Sequence, residues 1–187
     1  CLWQPFSYMW LHAGLLHLAL NLFVLWMFGS PLAMAWGAKR FLRYYLLCGV
    51  GAGFLIASYP YLVVWLGLAS PASLASLTIG ASGAIYGVLL GYSLTWPDRT
   101  LVFFPIPIPI RAIWLIPITF FLTVAADERG AVSHIGHFGG VLVGWILLRR
   151  GGTAGRLPTW TQLKWRWQRL RMRRKLRAVR WDEDASR

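Results

Sequence analysis

Ser82 stands among small residues in Gly80-Ala81-Ser82-Gly83, and His137 stands in the run HIGHFGG at His134–Gly140. Both lie in apolar surroundings, where an ionisable or nucleophilic side chain is expensive and generally functional. A serine hydroxyl is a weak nucleophile until a base takes its proton. Gly80 and Gly83 clear side chains from around the hydroxyl and leave space for a substrate carbonyl. A helix start there also offers unpaired backbone N–H groups to an oxyanion. The chemistry that fits is acyl transfer through a serine with a histidine as general base. A serine in an apolar helix more often packs or bonds a carbonyl one turn back, so the case rests on its neighbours.

His137 is the better placed base. Gly140 and Gly144 follow it at i+3 and i+7, on one helical face. Gly83, Gly87 and Gly91 repeat every four residues after Ser82. Small residues at that spacing let membrane helices approach closely, so packing the two glycine faces brings His137 toward Ser82. The spacing alone is weak evidence, and two glycine zippers without chemistry would look the same. His134 is the competing base, three residues nearer the loop, and is expected at the mouth of the site in an orienting role. Tyr86 lies one turn below Ser82 and could hold the imidazole by packing on it. His17 and Asn21, at i and i+4 in the first apolar segment, offer donors to an oxyanion; hydrogen bonding between helices is the plainer alternative. His12, at the outer end of that segment, is expected to hold loop structure. Asp98, Asp127 and Glu128 all fall in connections, so a dyad is the economical expectation and a full triad is not. The four histidines show no HExxH and no carboxylate in the expected pocket. No metal and no cofactor is expected.

The elements that must position these residues are apolar. The chain has 187 residues, 57% hydrophobic and 13% charged. That balance fits an integral membrane protein and excludes an ordinary soluble domain. Five apolar segments read as membrane helices: about 11–28, 44–66 with Pro60 as a candidate end, 79–96, 113–126 and 132–148. Several fall short of the ~20 residues a span needs, so their ends must be recessed or interfacial. Lys39, Arg40 and Arg43, then Arg99 and Arg111, then Arg149 and Arg150 mark alternate ends of the segments, while the other connections hold only Arg129. The positive-inside rule places the basic ends in the cytoplasm and the start of the chain outside. The prolines at 105, 107 and 109 favour an extended connector over 101–117.

Charge divides the chain in two. Residues 1–148 hold six basic and three acidic residues, and 149–187 hold thirteen basic and three acidic. The organisation expected is a membrane core over 1–150 and a basic cytoplasmic tail over 151–187. In the tail, Trp160, Leu163, Trp167 and Leu170 form a helical stripe. An interfacial amphipathic helix on anionic lipid is expected there. Nucleic acid is not expected, because the tail directly follows a span. Cys1 and Cys48 cannot form a disulfide framework.

Taken together, these motifs resemble the rhomboid family of intramembrane serine proteases. The resemblance runs from about Trp3 through Gly144. Its H-x4-H-x3-N pattern is matched by His12, His17 and Asn21, its GxSG motif by Gly80 to Gly83 with Tyr86 following, and its AHxxG-x3-G pattern by His137, Gly140 and Gly144. Gly136 replaces the alanine before the histidine, and Ala33 stands where the family often has glutamate, which bears on local stability. The resemblance implies an all-α polytopic bundle of six spans, of which five are visible, the first being missing from a truncated sequence. It implies Ser82 as nucleophile, His137 as base and His17, Asn21 and the Ser82 backbone as oxyanion contacts. It also implies transmembrane protein substrates cut in or near their helix, and by default a bacterial inner membrane. Two alternatives stand beside it: an inactive rhomboid-like protein that captures membrane helices, and, more distantly, a transporter.

Overall fold

The computed structural model describes residues 3–75, 78–103, 106–127 and 133–150. The chain divides into two units, Cys1–Ala154 and Gly155–Arg187. The expected tail helix, Cys1 and Arg129 lie outside the described residues.

A short helix α1 (Gln4–Ser7) and a 3-10 turn (Tyr8–Trp10) open the first unit. The first long helix is built in three parts: α2 (Leu15–Val24), a wide π turn (Leu25–Gly29) and α3 (Ser30–Trp36). The wide turn falls just before Pro31, whose ring excludes the normal approach of the carbonyl four residues earlier. Gly37, at φ +86°, breaks the chain into α4 (Ala38–Trp65). This helix passes through Pro60 and does not end there. Next come α5 (Ser82–Thr95), a two-stranded hairpin, α6 (Leu115–Ala126) and α7 (His134–Arg150).

The hairpin pairs β1 (Thr100–Phe103) antiparallel with β2 (Ile106–Arg111), Thr100 opposite Arg111 and Leu101 opposite Ile110. The proline-rich stretch is extended, as its sequence requires, but only as far as Arg111. From Ala112 a 3-10 turn leads into α6, so the connector is shorter than the 101–117 expected.

Two helical stretches are long and apolar enough to cross a membrane, Leu15–Trp36 with 22 residues and Ala38–Trp65 with 28. Their length and composition, in a fold that is mostly helical, suit a helical membrane protein. The helices α5, α6 and α7 are shorter, at 14, 12 and 17 residues. The shortness of α5 goes with its place: 11 of its 14 residues are buried against α4, α7 and the wide turn. A helix enclosed by protein satisfies its surroundings without matching the thickness of the lipid.

Close approach sets the geometry of this centre. A Cβ on Gly140 would overlap the Gly83 carbonyl oxygen, and one on Gly87 would lie 2.6 Å from Cys48 Sγ. One on Gly144 would lie 2.5 Å from the Tyr44 hydroxyl. Gly91 departs from the expected stripe. Its nearest neighbours are Trp36, Tyr44 and Leu32, none of them on α7. The glycine seam between α5 and α7 therefore spans Gly83, Gly87, Gly140 and Gly144, because by Gly91 the bulky Trp36 and Tyr44 occupy the gap. Tyr44 ties the seam to α4 by donating its hydroxyl to Gly87 O at 2.7 Å.

The described Lys and Arg residues, Lys39, Arg40, Arg43, Arg99, Arg111, Arg149 and Arg150, gather at the end of the bundle where α4 begins and α5 and α7 finish. Ser82 and His137 begin α5 and α7 at the opposite end.

Candidate active site

Ser82 is the first residue of α5. Its hydroxyl therefore sits where the N–H groups of a helix have no carbonyl one turn earlier to bond. The preceding turn needs Gly80 twice over. Gly80 has φ +122°, a backbone conformation poorly suited to other residues, and a Cβ there would lie 2.8 Å from His17 Cε1. The Gly80 N–H donates to Tyr8 O at 3.0 Å. Tyr8 in turn donates its hydroxyl to Gly49 O at 2.8 Å, linking this turn to α4. Burial pushes the Tyr8 phenol pKa well up, so it remains a donor. Little in the sequence marks Tyr8, which is one aromatic residue among many.

His137 lies in the first turn of α7 and is 4% exposed. Its Nε2 is 2.9 Å from Ser82 Oγ. Tyr86, one turn below Ser82, stacks on the imidazole with ring centroids 4.2 Å apart and planes at 15°. The Tyr86 hydroxyl shares a hydrogen bond of 3.0 Å with Thr123 Oγ1 on α6. Three helices thus fix one imidazole. Thr123 carries little signal in the sequence. The only signal for it was its i, i+4 spacing from Thr119 in an apolar run. The approach that brings serine and histidine together is the backbone contact of Gly83 with Gly140. Gly83 also packs against Ala52, Gly136 O and the Tyr8 hydroxyl.

His134 does not reach Ser82 in the same way. Its Nε2 is 3.1 Å from Asp127 Oδ2, and its ring lies edge-on to His137 with centroids 6.4 Å apart. Among the described residues, the Asp127 carboxylate is therefore joined to the outer histidine and bridges the end of α6 to the start of α7. The sequence placed Asp127 in a connection without a hint of this pairing, because it depends on which helix ends lie together. His137 Nδ1 is buried with no hydrogen-bond partner among the described residues. A protonated Nδ1 leaves Nε2 free to accept the serine proton.

His17 packs its ring against Gly80, beside the turn that carries Ser82. His12 lies edge-on to it at 5.1 Å, and His17 Nδ1 accepts from Ala13 N at 3.4 Å. These contacts direct the Nε2 edge of His17 toward Gly80. Asn21 is 8% exposed and donates one Nδ2 hydrogen to His17 O at 2.9 Å. A side-chain amide carries a second N–H. The described residues contain no cluster of metal-ligating side chains. A cavity of about 420 Å³ lies on the α4 side of the turn, lined by Tyr8, Gly53, Pro60 and Ile79 among others.

Comparison with known proteins sets this geometry in a family. The Rhomboid domain matches residues 1–151. Rhomboid protein 1, mitochondrial, of Saccharomyces cerevisiae is 32% identical over 73% of this chain and 39% of its own length. Rhomboid protease GluP of Bacillus subtilis is 30% identical over 77% of this chain and 25% of its own length. The presenilin-associated rhomboid-like protein, mitochondrial, of Mus musculus is 30% identical over 73% of this chain and 35% of its own length. The matched region thus spans well under half of each relative. No solved structure matches.

Proposed function

Because the chain belongs to the rhomboid family, we propose that it is an intramembrane serine endopeptidase that cleaves transmembrane proteins through Ser82 and His137. The observation that carries this reading is the 2.9 Å approach of His137 Nε2 to Ser82 Oγ beneath the stacked ring of Tyr86. In the reaction Ser82 Oγ attacks the scissile carbonyl carbon as His137 Nε2 takes its proton. The oxyanion that forms is met by the first N–H groups of α5, the His17 ring and the second Asn21 N–H. His137 returns the proton to the leaving amine, and water attacks the acyl-enzyme with the same base. Tyr86 supplies by stacking the orientation that a carboxylate supplies in a triad. His12 and Gly80 hold His17 and the turn in place, and His134 joined to Asp127 holds the outer end of α7.

Depth explains how water reaches this reaction. The 14 residues of α5 rise about 21 Å, against a hydrocarbon core of about 30 Å. With its basic end level with one membrane face, Ser82 lies about 9 Å below the other. A shallow funnel is sufficient at that depth. Substrates are membrane segments that unwind there, since a helix hides its carbonyls in internal hydrogen bonds. The basic end faces the cytoplasm of a bacterial inner membrane, and the site opens to the far side. The tail at 151–187, outside the described residues, binds anionic lipid and leaves the chemistry to the core.

The test is cleavage of a panel of transmembrane reporters in liposomes by the wild-type chain and Ser82→Ala. Cleavage that requires Ser82 supports the proposal. Capture of membrane helices without cleavage by either chain would point to a binding protein instead.

A further inference from the structure

Where α4 begins and α7 finishes, the two helices part around a cavity of about 180 Å³ lined by Trp36, Arg40, Arg43, Tyr44, Leu47, Leu147 and Leu148. It lies at the basic end, opposite Ser82, and takes no part in the proposed reaction. None of the residues lining it is acidic. Arg40 is half-buried, with its guanidinium carbon 5.4 Å from the centre of the Trp36 ring. Trp36 is itself fixed edge-on to Tyr44 at 5.2 Å. The Tyr44 hydroxyl is committed to Gly87 O, which leaves the two guanidinium groups as the polar side of the cavity. The other side is leucine. Leu148 closes the floor at 4% exposure, while Leu47 is 50% exposed toward the surroundings of the bundle.

Two cations above an apolar gutter match one kind of occupant in a membrane. Guanidinium groups bind phosphate oxygens in a paired, planar geometry. Basic pockets between membrane helices on the cytoplasmic side suit lipid headgroups. The cavity has room for a phosphate and its ester oxygens but not for a whole lipid, so the acyl chains must leave past Leu47 along the outer surface of α4. We propose that this seam is a binding site for an anionic phospholipid, its phosphodiester held by Arg40 and Arg43 and one acyl chain lying along Leu47 and Leu147. The site is separate from the lipid contact proposed for the tail, and it stands whether or not the protein is a protease.

The experiment uses the full chain in phosphatidylcholine vesicles containing a trace of photo-crosslinkable phosphatidylglycerol, with cross-links mapped by peptide mass spectrometry. Cross-links should concentrate on peptides carrying Trp36–Leu47 and Leu147–Leu148. Unlabelled phosphatidylglycerol should displace them, while phosphatidylcholine and inorganic phosphate should not. In the Arg40→Gln/Arg43→Gln double variant they should fall about tenfold, in line with losing two charge-assisted contacts, while cross-links to the tail persist. The competition is run on the wild-type chain and does not depend on how well the variant folds. Cross-links without enrichment at the seam, or unchanged in a folded double variant, would overturn the proposal. Displacement by inorganic phosphate would overturn the lipid assignment in favour of a free anion.

Discussion

Gly140→Ala is the smallest change that should separate Ser82 from His137. The added Cβ would overlap the Gly83 carbonyl oxygen and lie 2.7 Å from the Gly83 carbonyl carbon. Carbon atoms in contact prefer about 3.5–4.0 Å, and the oxygen overlap is closer still, so α5 and α7 must open by at least ~1 Å. The obstruction is backbone and cannot rotate away. Ser82 adjoins Gly83, and His137 is one turn from Gly140. The same opening takes the 2.9 Å approach to roughly 3.9 Å, beyond hydrogen-bond reach. A misplacement of about 1 Å at a reacting centre costs on the order of 100-fold in rate, or about 2.7 kcal/mol of barrier. Overpacking should cost about 1–3 kcal/mol of stability besides. The assay is kcat and KM for a transmembrane reporter in liposomes, alongside thermal unfolding. Gly91→Ala is the matched control. Its Cβ would meet the far edge of the Trp36 ring at 2.9 Å, away from the serine and histidine. It should lose stability with a smaller loss of rate. Wild-type kcat in Gly140→Ala, or equal rate losses in the two variants at equal stability, would refute the reasoning.

Other substitutions separate roles within the site. Tyr86→Phe keeps the stack on His137 and loses the Thr123 bond, so kcat should fall by a few-fold, in line with about 1 kcal/mol for one hydrogen bond. Tyr86→Ala removes the stack and should lower kcat at least ten times further with KM little changed, as measured by reporter cleavage. His17→Ala and Asn21→Ala should each lower kcat more than they raise KM, with an upper bound of about 3 kcal/mol per lost oxyanion donor. Unchanged rates in both variants and in the double variant would assign these residues to packing. His134→Ala should retain turnover but lower the thermal midpoint, because it loses a part-exposed bond to Asp127 worth about 0.5–1.5 kcal/mol of stability. Loss of turnover equal to that of His137→Ala would make His134 part of the chemistry.

The candidate site was legible in outline because its positions obey helical spacing. Tyr86 one turn below Ser82 and Gly140 one turn beyond His137 follow from a period of 3.6 residues, and in the fold they meet as that period requires. What the spacing left hidden depends on contacts between distant segments. Asp127 and His134 meet because the end of α6 lies beside the start of α7. Thr123 reaches Tyr86 from a helix far along the chain. Tyr8 supports the turn at Gly80 through a backbone carbonyl, a contact that no side-chain pattern encodes. Gly91 looked like part of the same stripe, but a period shows only which residues share a face. The large side chains of Trp36 and Tyr44 decide which partner that face meets. Pro60 offered a possible earlier end to the 44–66 segment, and the helix runs through it to Trp65.

The central claim is that Ser82 is made nucleophilic by His137. It is tested most directly by labelling the full chain in liposomes with a fluorophosphonate probe, which reacts with an activated serine, and locating the adduct by mass spectrometry. The account predicts an adduct on Ser82 in the wild-type chain, reduced on the order of 100-fold or more in His137→Ala, as expected for loss of a general base, and largely retained in His134→Ala. Labelling of Ser82 that does not depend on His137, or an adduct on a different serine with Ser82 unmodified, would contradict it.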